Sequence, residues 1–306
     1  MKTKLLLTIA TLCLLLSCKE QASKQTIEKP AIAVAINDSL VFKETPNKHI
    51  ELVTKIAKVN EVQFERVGAA GMPSANYHLY TQLKADATIQ ELLQLTDNKN
   101  ATVACYASWA LADQKYTDLK SIFLKFITHD RTVTTFKGCI ISEDSISSEL
   151  YHRYRYNLND TNVATDKILT QLDSIVLYKP NSYWLLISRA LDNRIYKAPI
   201  KTQITKLAFE HGNKDAIFYL SKWHKAAYKD QLKTALIKYL KETDFSATGT
   251  TDYYKTVAEL FKFKDTETEN IIITKLKNDR HWISQKQRFK FLLEDNYIYN
   301  IEDELQ

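Results

Sequence analysis

Glycine is scarce in this chain. Five occur in 306 residues, at Gly68, Gly71, Gly138, Gly212 and Gly249, beside only five prolines. Nucleotide-binding folds use glycine wherever the backbone turns tightly or approaches a phosphate closely. Neither G-x-G-x-x-G nor G-x-x-x-x-G-K-[ST] is present, which excludes the usual dinucleotide and phosphate loops. No C-x-x-C and no H-E-x-x-H occur among the cysteines and seven histidines, so neither a common zinc site nor a dithiol redox motif is encoded. No G-x-S-x-G or S-x-x-K box frames a nucleophile. No catalytic residue, metal or cofactor is therefore expected. Charge of one sign is lacking too: 42 basic against 36 acidic side chains leave +6. Lysine is spread along the chain, whereas nucleic-acid binding needs a concentrated basic face, so no nucleic-acid partner is expected.

What is present favours helices joined by short polar turns: abundant Lys, Leu, Ala and Glu with 17 tyrosines and 12 phenylalanines. The chain also repeats itself. Asn100–Ile127 aligns without gaps on Asn213–Leu240 at an offset of 113 residues; Asn100, Tyr106, Ser108, Leu119, Lys120 and Lys125 recur as Asn213, Tyr219, Ser221, Leu232, Lys233 and Lys238. Each copy holds two helical patterns. Ala216, Leu220, Trp223 and Ala227 mark one apolar face, and Leu232, Leu236 and Leu240 the next. A further copy begins near Thr251, with Tyr253, Val257 and Leu260 followed by Ile272 and Leu276. Helix pairs recurring about every 35–40 residues are the signature of an α-solenoid. The spacing predicts helices over 49–59, two within 74–96, then 101–112, 117–128, one from Glu143 marked by Ile146, Leu150, Tyr154 and Leu158, then 164–177, 182–191, 200–210 and 282–294, while Thr132–Ile141 is strand-like. The fold class expected is all-α: a solenoid with a short β or irregular N-terminal cap around Ala31–Phe42 and an irregular insert near 130–160.

The N-terminal segment carries Lys2 and Lys4, then an apolar stretch from Leu5 to Leu16 broken only by Thr8 and Thr11, then Ser17-Cys18. Twelve residues are too few to span a bilayer, which takes about 20. The segment resembles a bacterial lipoprotein signal ending in a lipobox. That resemblance implies removal of residues 1–17, lipidation of Cys18 and attachment to the cell envelope, on either face of an outer membrane. Removal would take away Lys2 and Lys4 and leave 40 basic against 36 acidic side chains. Residues 18–30 read as a lipidated cysteine and a polar tether too poor in apolar groups to fold alone. Residues 31–306 then form the repeat domain.

The run Val103-x-x-Tyr106-Ala107-x-x-Ala110-Leu111 resembles the first helix of a HEAT repeat, although Ala104 stands where arginine is usual. Gly68–Leu111 as a whole is similar to HEAT-like lipoproteins of Bacteroidota, a group with no established activity. The resemblance implies architecture, not a site.

Candidate site residues are few. Cys105 and Cys139 are expected either to form a disulfide or to act as two buried thiols. The tract Tyr151-His152-Arg153-Tyr154-Arg155-Tyr156 mixes aromatic and cationic side chains that stack on sugars or pair with acidic partners. The favoured reading has its tyrosines packed on the next helix and its arginines solvated; even so, the tract is the first choice for a binding surface. The function expected is a membrane-anchored, non-catalytic module that binds an envelope protein. The alternative is a glycan-binding or glycan-active envelope protein with an all-helical fold.

Overall fold

In the computed structural model, residues 41–179 and 184–299 are described. The signal, Cys18, the tether and most of the Ala31–Phe42 cap lie outside them. Residues Leu40–Gln306 form one compact unit.

The fold is mostly helical with a small four-stranded sheet. It begins with α1 (Ile50–Val59), β1 (Val62–Val67), β2 (Met72–Pro73), α2 (Ala75–Asp86), α3 (Ile89–Leu95), α4 (Ala101–Asp113) and α5 (Leu119–Thr128). A hairpin of β3 (Thr132–Gly138) and β4 (Ile140–Ser145) leads into α6 (Ile146–Tyr156). The remaining helices are α7 (Asp160–Val163), α8 (Lys167–Tyr178), α9 (Trp184–Asn193), α10 (Ile200–Phe209), α11 (Lys214–Trp223), α12 (Lys229–Glu242), α13 (Phe245–Thr248), α14 (Thr250–Phe261), α15 (Thr266–Asn278) and α16 (Lys286–Glu294).

The sheet departs from the all-α expectation. Its order is β2-β1-β3-β4, with β1 parallel to β3 and the other pairs antiparallel. Residues 132–141, strand-like in sequence, supply β3 and the start of β4. The acids Glu143 and Asp144 are not the start of a helix, as their position before the Ile146 stripe suggested. They pair with Thr134 and Val133 across the hairpin, and Ser145 caps α6 by accepting from the Ser148 N–H. A serine in extended conformation at that point satisfies an orphan helix donor, which fixes the start three residues later than Glu143.

Behind the sheet runs α4, buried along nearly its whole length from Thr102 to Ala112. Its many small residues allow close approach on every side, and it packs on α1, α2, α3, α5, α6, β1 and β3. From there the helices follow one another. The pair α5 and α6 packs on α8, α8 on α9 and α10, both of these on α11, α11 on α12, and α12 on α14 and α15. A 3-10 turn at Arg280–Gln285 seats α16 against α14.

The internal repeat has structural counterparts. Asn100 caps α4 by accepting from the Val103 N–H, and Asn213 caps α11 by accepting from the Ala216 N–H. Tyr106 Oη accepts from the Gln63 N–H at 2.8 Å, and Tyr219 Oη from the Tyr196 N–H at 2.6 Å. Leu119 and Leu232 are both fully buried, as are Tyr253, Val257, Leu260, Ile272 and Leu276 of the third copy.

Candidate functional site

The sequence directs attention to α6. Ile146, Leu150 and Tyr154 form its buried stripe, and Arg153 and Arg155 in its last turn suit the negative end of the helix dipole. The Tyr–Arg tract turns out to be spent largely on neighbouring helices. Tyr151 is fully buried and donates to Asp173 Oδ1 at 2.6 Å. Tyr154, also buried, donates to Asp166 Oδ1 at 3.1 Å. Arg155 donates from Nε to Asn193 Oδ1 at 3.1 Å. Of the six residues, Tyr156 alone presents its ring fully to solvent, 82% exposed. As a surface, the tract is reduced to Tyr156 with the part-exposed edges of His152 and Arg155. The arginines are not simply solvated either, because Arg153 is inside a network.

That network centres on Asp113, the last residue of α4. Arg153 grips it with two hydrogen bonds, Nε to Oδ1 at 2.6 Å and Nη2 to Oδ2 at 2.7 Å. Tyr80 Oη, Lys84 Nζ and Asn157 Nδ2 also donate to it, at 2.5, 2.9 and 2.7 Å. The guanidinium lies 5.0 Å from the Trp109 ring and 5.6 Å from the Tyr80 ring. Burial alone would raise the Asp113 carboxyl, but the hydrogen bonds from Arg153, Lys84 and Tyr80 hold it well below the usual carboxylate range. A carboxylate in the last turn of a helix opposes the dipole unless cations meet it. That was the one available sequence signal for this node.

A second node lies at Asp173, fully buried on α8. Tyr151 and Asn193 donate to Oδ1; Tyr196 donates to Oδ2 at 2.9 Å, and Arg194 Nη2 lies 3.0 Å from the same oxygen. Burial dominates here and leaves the Asp173 carboxyl raised despite its donors. An acid inside the apolar run Ile168–Leu177 was its sequence signal. Both nodes are saturated with protein partners, so they tie helices together rather than offer a site.

Between the sheet and α6 sits a third group. Glu149 is 7% exposed and its Oε2 has no hydrogen-bond partner. Burial, then the like charge of Asp144, push its carboxyl up to about 7. Asp144 Oδ2 accepts from the Thr135 and Ser142 hydroxyls, both at 2.9 Å. Burial, then Arg189 and Lys137, lower His152 to about 4, so its imidazole is neutral. Among the described residues no group of three His, Cys, Asp or Glu is arranged to hold a metal ion.

The cysteines do not pair. Cys105 is buried in α4 and Cys139 is exposed at the hairpin turn, both as free thiols. A disulfide would need the two brought within about 7 Å at Cα with converging side chains; one instead fills the helical core while the other faces water. Trp109 and Trp282 are core residues, while Trp223 is 44% exposed.

A concavity with room for a ligand lies elsewhere, beside the second repeat copy. A groove of about 680 Å³ runs between the end of α10 and one face of α12, with Phe209 and Tyr239 in its walls and Glu210, Asp230, Lys238 and Glu242 among its polar lining. Its residues carry no motif, which is why sequence reasoning passed over it.

The chain matches no protein-family model, no curated protein and no solved structure. Among the described residues no helix is long and apolar enough to cross a membrane.

Proposed function

We propose that this protein is an envelope lipoprotein, held through lipidated Cys18, that binds a partner protein through a HEAT-like helical-repeat surface and performs no chemistry of its own. The observation that carries the reading is how the ionisable side chains are used. Asp113 and Asp173 are each closed off by four protein side chains. A catalytic carboxylate must keep a lone pair or proton available to substrate; these do not, and Glu149, whose Oε2 has no partner, is buried away from solvent at 7% exposure. The recurrence of Asn caps and tyrosine–backbone bonds at an offset of 113 residues supports a repeat architecture. Stacked repeats expose elongated surfaces suited to gripping another chain.

Photo-crosslinking in intact cells tests the reading. Specific protein adducts are expected, and their absence under several growth conditions sinks it. The glycan-binding alternative has one observation in its favour: the α10–α12 groove sets Phe209 and Tyr239 near three carboxylate side chains. It requires oligosaccharide binding that is abolished by Tyr239→Ala.

A further inference from the structure

We infer that the α10–α12 groove receives an extended, lysine- or arginine-bearing segment of the partner protein. The inference rests on the protein-binding reading above and names its surface and the chemistry of its occupant. Three observations converge on a cation. Glu210 stands at the C-cap of α10, where the helix dipole is already negative, and the carbonyls of Ala208 and Phe209 accept no hydrogen bond among the described residues. Asp230 faces the same groove, and neither it nor Glu210 has an ion-pair partner among the described residues. The cation Lys238 is offset by Glu242, 4.0 Å away on the same helix; His211 completes the rim. The lining thus sets three carboxylates against one lysine, on a chain that is basic overall. Phe209, backed by Tyr228 at 5.9 Å, and Tyr239 add ring faces that attract ammonium or guanidinium groups. The volume suits a few residues of an extended chain rather than a folded helix. The exposed face of α12 from Asp230 to Glu242 gives it a track about 18 Å long.

The test uses the full chain in a neutral detergent, with a fluorescein-labelled heptapeptide of alternating alanine and lysine and its glutamate counterpart. Fluorescence anisotropy is expected to report binding of the lysine peptide and not of the glutamate peptide. Long-range attraction to a cationic protein would give the reverse order. The pair Glu210→Gln with Asp230→Asn is expected to weaken binding about tenfold. Thr234→Trp, which fills the groove without altering charge, should abolish it. A control pair outside the groove, Glu65→Gln with Asp86→Asn, should leave it unchanged. Equal weakening by both charge pairs, or equal binding of the two peptides, overturns the groove assignment. Crosslinking in cells separates the two claims. A partner still captured equally by the Glu210→Gln/Asp230→Asn chain refutes the groove and leaves the scaffold reading standing. Absence of any protein adduct from the unaltered chain refutes the scaffold reading itself.

Discussion

Arg153 and Asp113 lie 40 residues apart and meet through two parallel hydrogen bonds of 2.6 and 2.7 Å. The pair binds the last turn of α6 to the end of α4, across the boundary between the sheet-backed N-terminal part and the helices that follow. The fork geometry suits guanidinium and carboxylate, and the charges are mostly removed from water, with side chains 13% and 10% exposed.

Breaking this pair from one side leaves a buried charge uncompensated. Arg153→Ala is expected to destabilise the fold by about 3 kcal/mol or more, read as a lower midpoint in urea. Arg153→Lys keeps the charge but loses the fork, and should fall between the two. Asp113 is depressed on folding, so its contribution is present above its unfolded pKa and is lost as pH falls through the lower folded value. The difference between native protein and Asp113→Asn should therefore shrink on acidification below pH 3.8.

Tyr151→Phe removes one of the donors on buried Asp173 while keeping the ring that packs 6.0 Å from Phe123. A loss of about 1–2 kcal/mol is expected, the usual cost of leaving a buried acceptor short of a donor. Tyr156→Phe, at an exposed position, should change stability negligibly. Equal effects from both would contradict the division of roles within the tract.

Glu149 gives the opposite pH dependence to Asp113. Its carboxyl rises from 4.5 to about 7 on folding, so the folded state holds the proton more tightly. Stability should decline as pH rises from 4.5 to about 7 and then level off. The full decline corresponds to about 3 kcal/mol. Glu149→Gln should flatten this limb and stabilise the protein at pH 8, measured by urea denaturation across pH.

Cys139 should react with a maleimide in the native protein, while Cys105 should react only after unfolding, because burial both shields its thiol and raises its pKa. Peptide mass spectrometry distinguishes this from a disulfide, in which neither would label before reduction.

Most helices are legible because one residue type at one spacing suffices. Leu232, Leu236 and Leu240 form a stripe, and Asn100 and Asn213, matched in the internal repeat, cap their helices. Strand β1 was missed because what makes Val62–Val67 a strand is parallel pairing with β3, some 70 residues away; nothing local in VQFERV distinguishes it. In the Tyr–Arg tract the packing of Tyr151 and Tyr154 was legible, but the engagement of Arg153 was not, because Asp113 is a distant partner that sequence spacing does not bring near. The groove was invisible for the same reason: its walls come from α10 and α12, and its chemistry from Glu210 and Asp230 facing one space.

The central claim is that the repeat surface grips a protein. A photo-crosslinking residue placed at Gln231, an exposed residue of the groove lining, in intact cells tests it most directly. The account predicts a discrete protein adduct that is lost when Glu210→Gln and Asp230→Asn are added. Absence of a protein adduct both at Gln231 and at every position spread over the other exposed helix faces would contradict it.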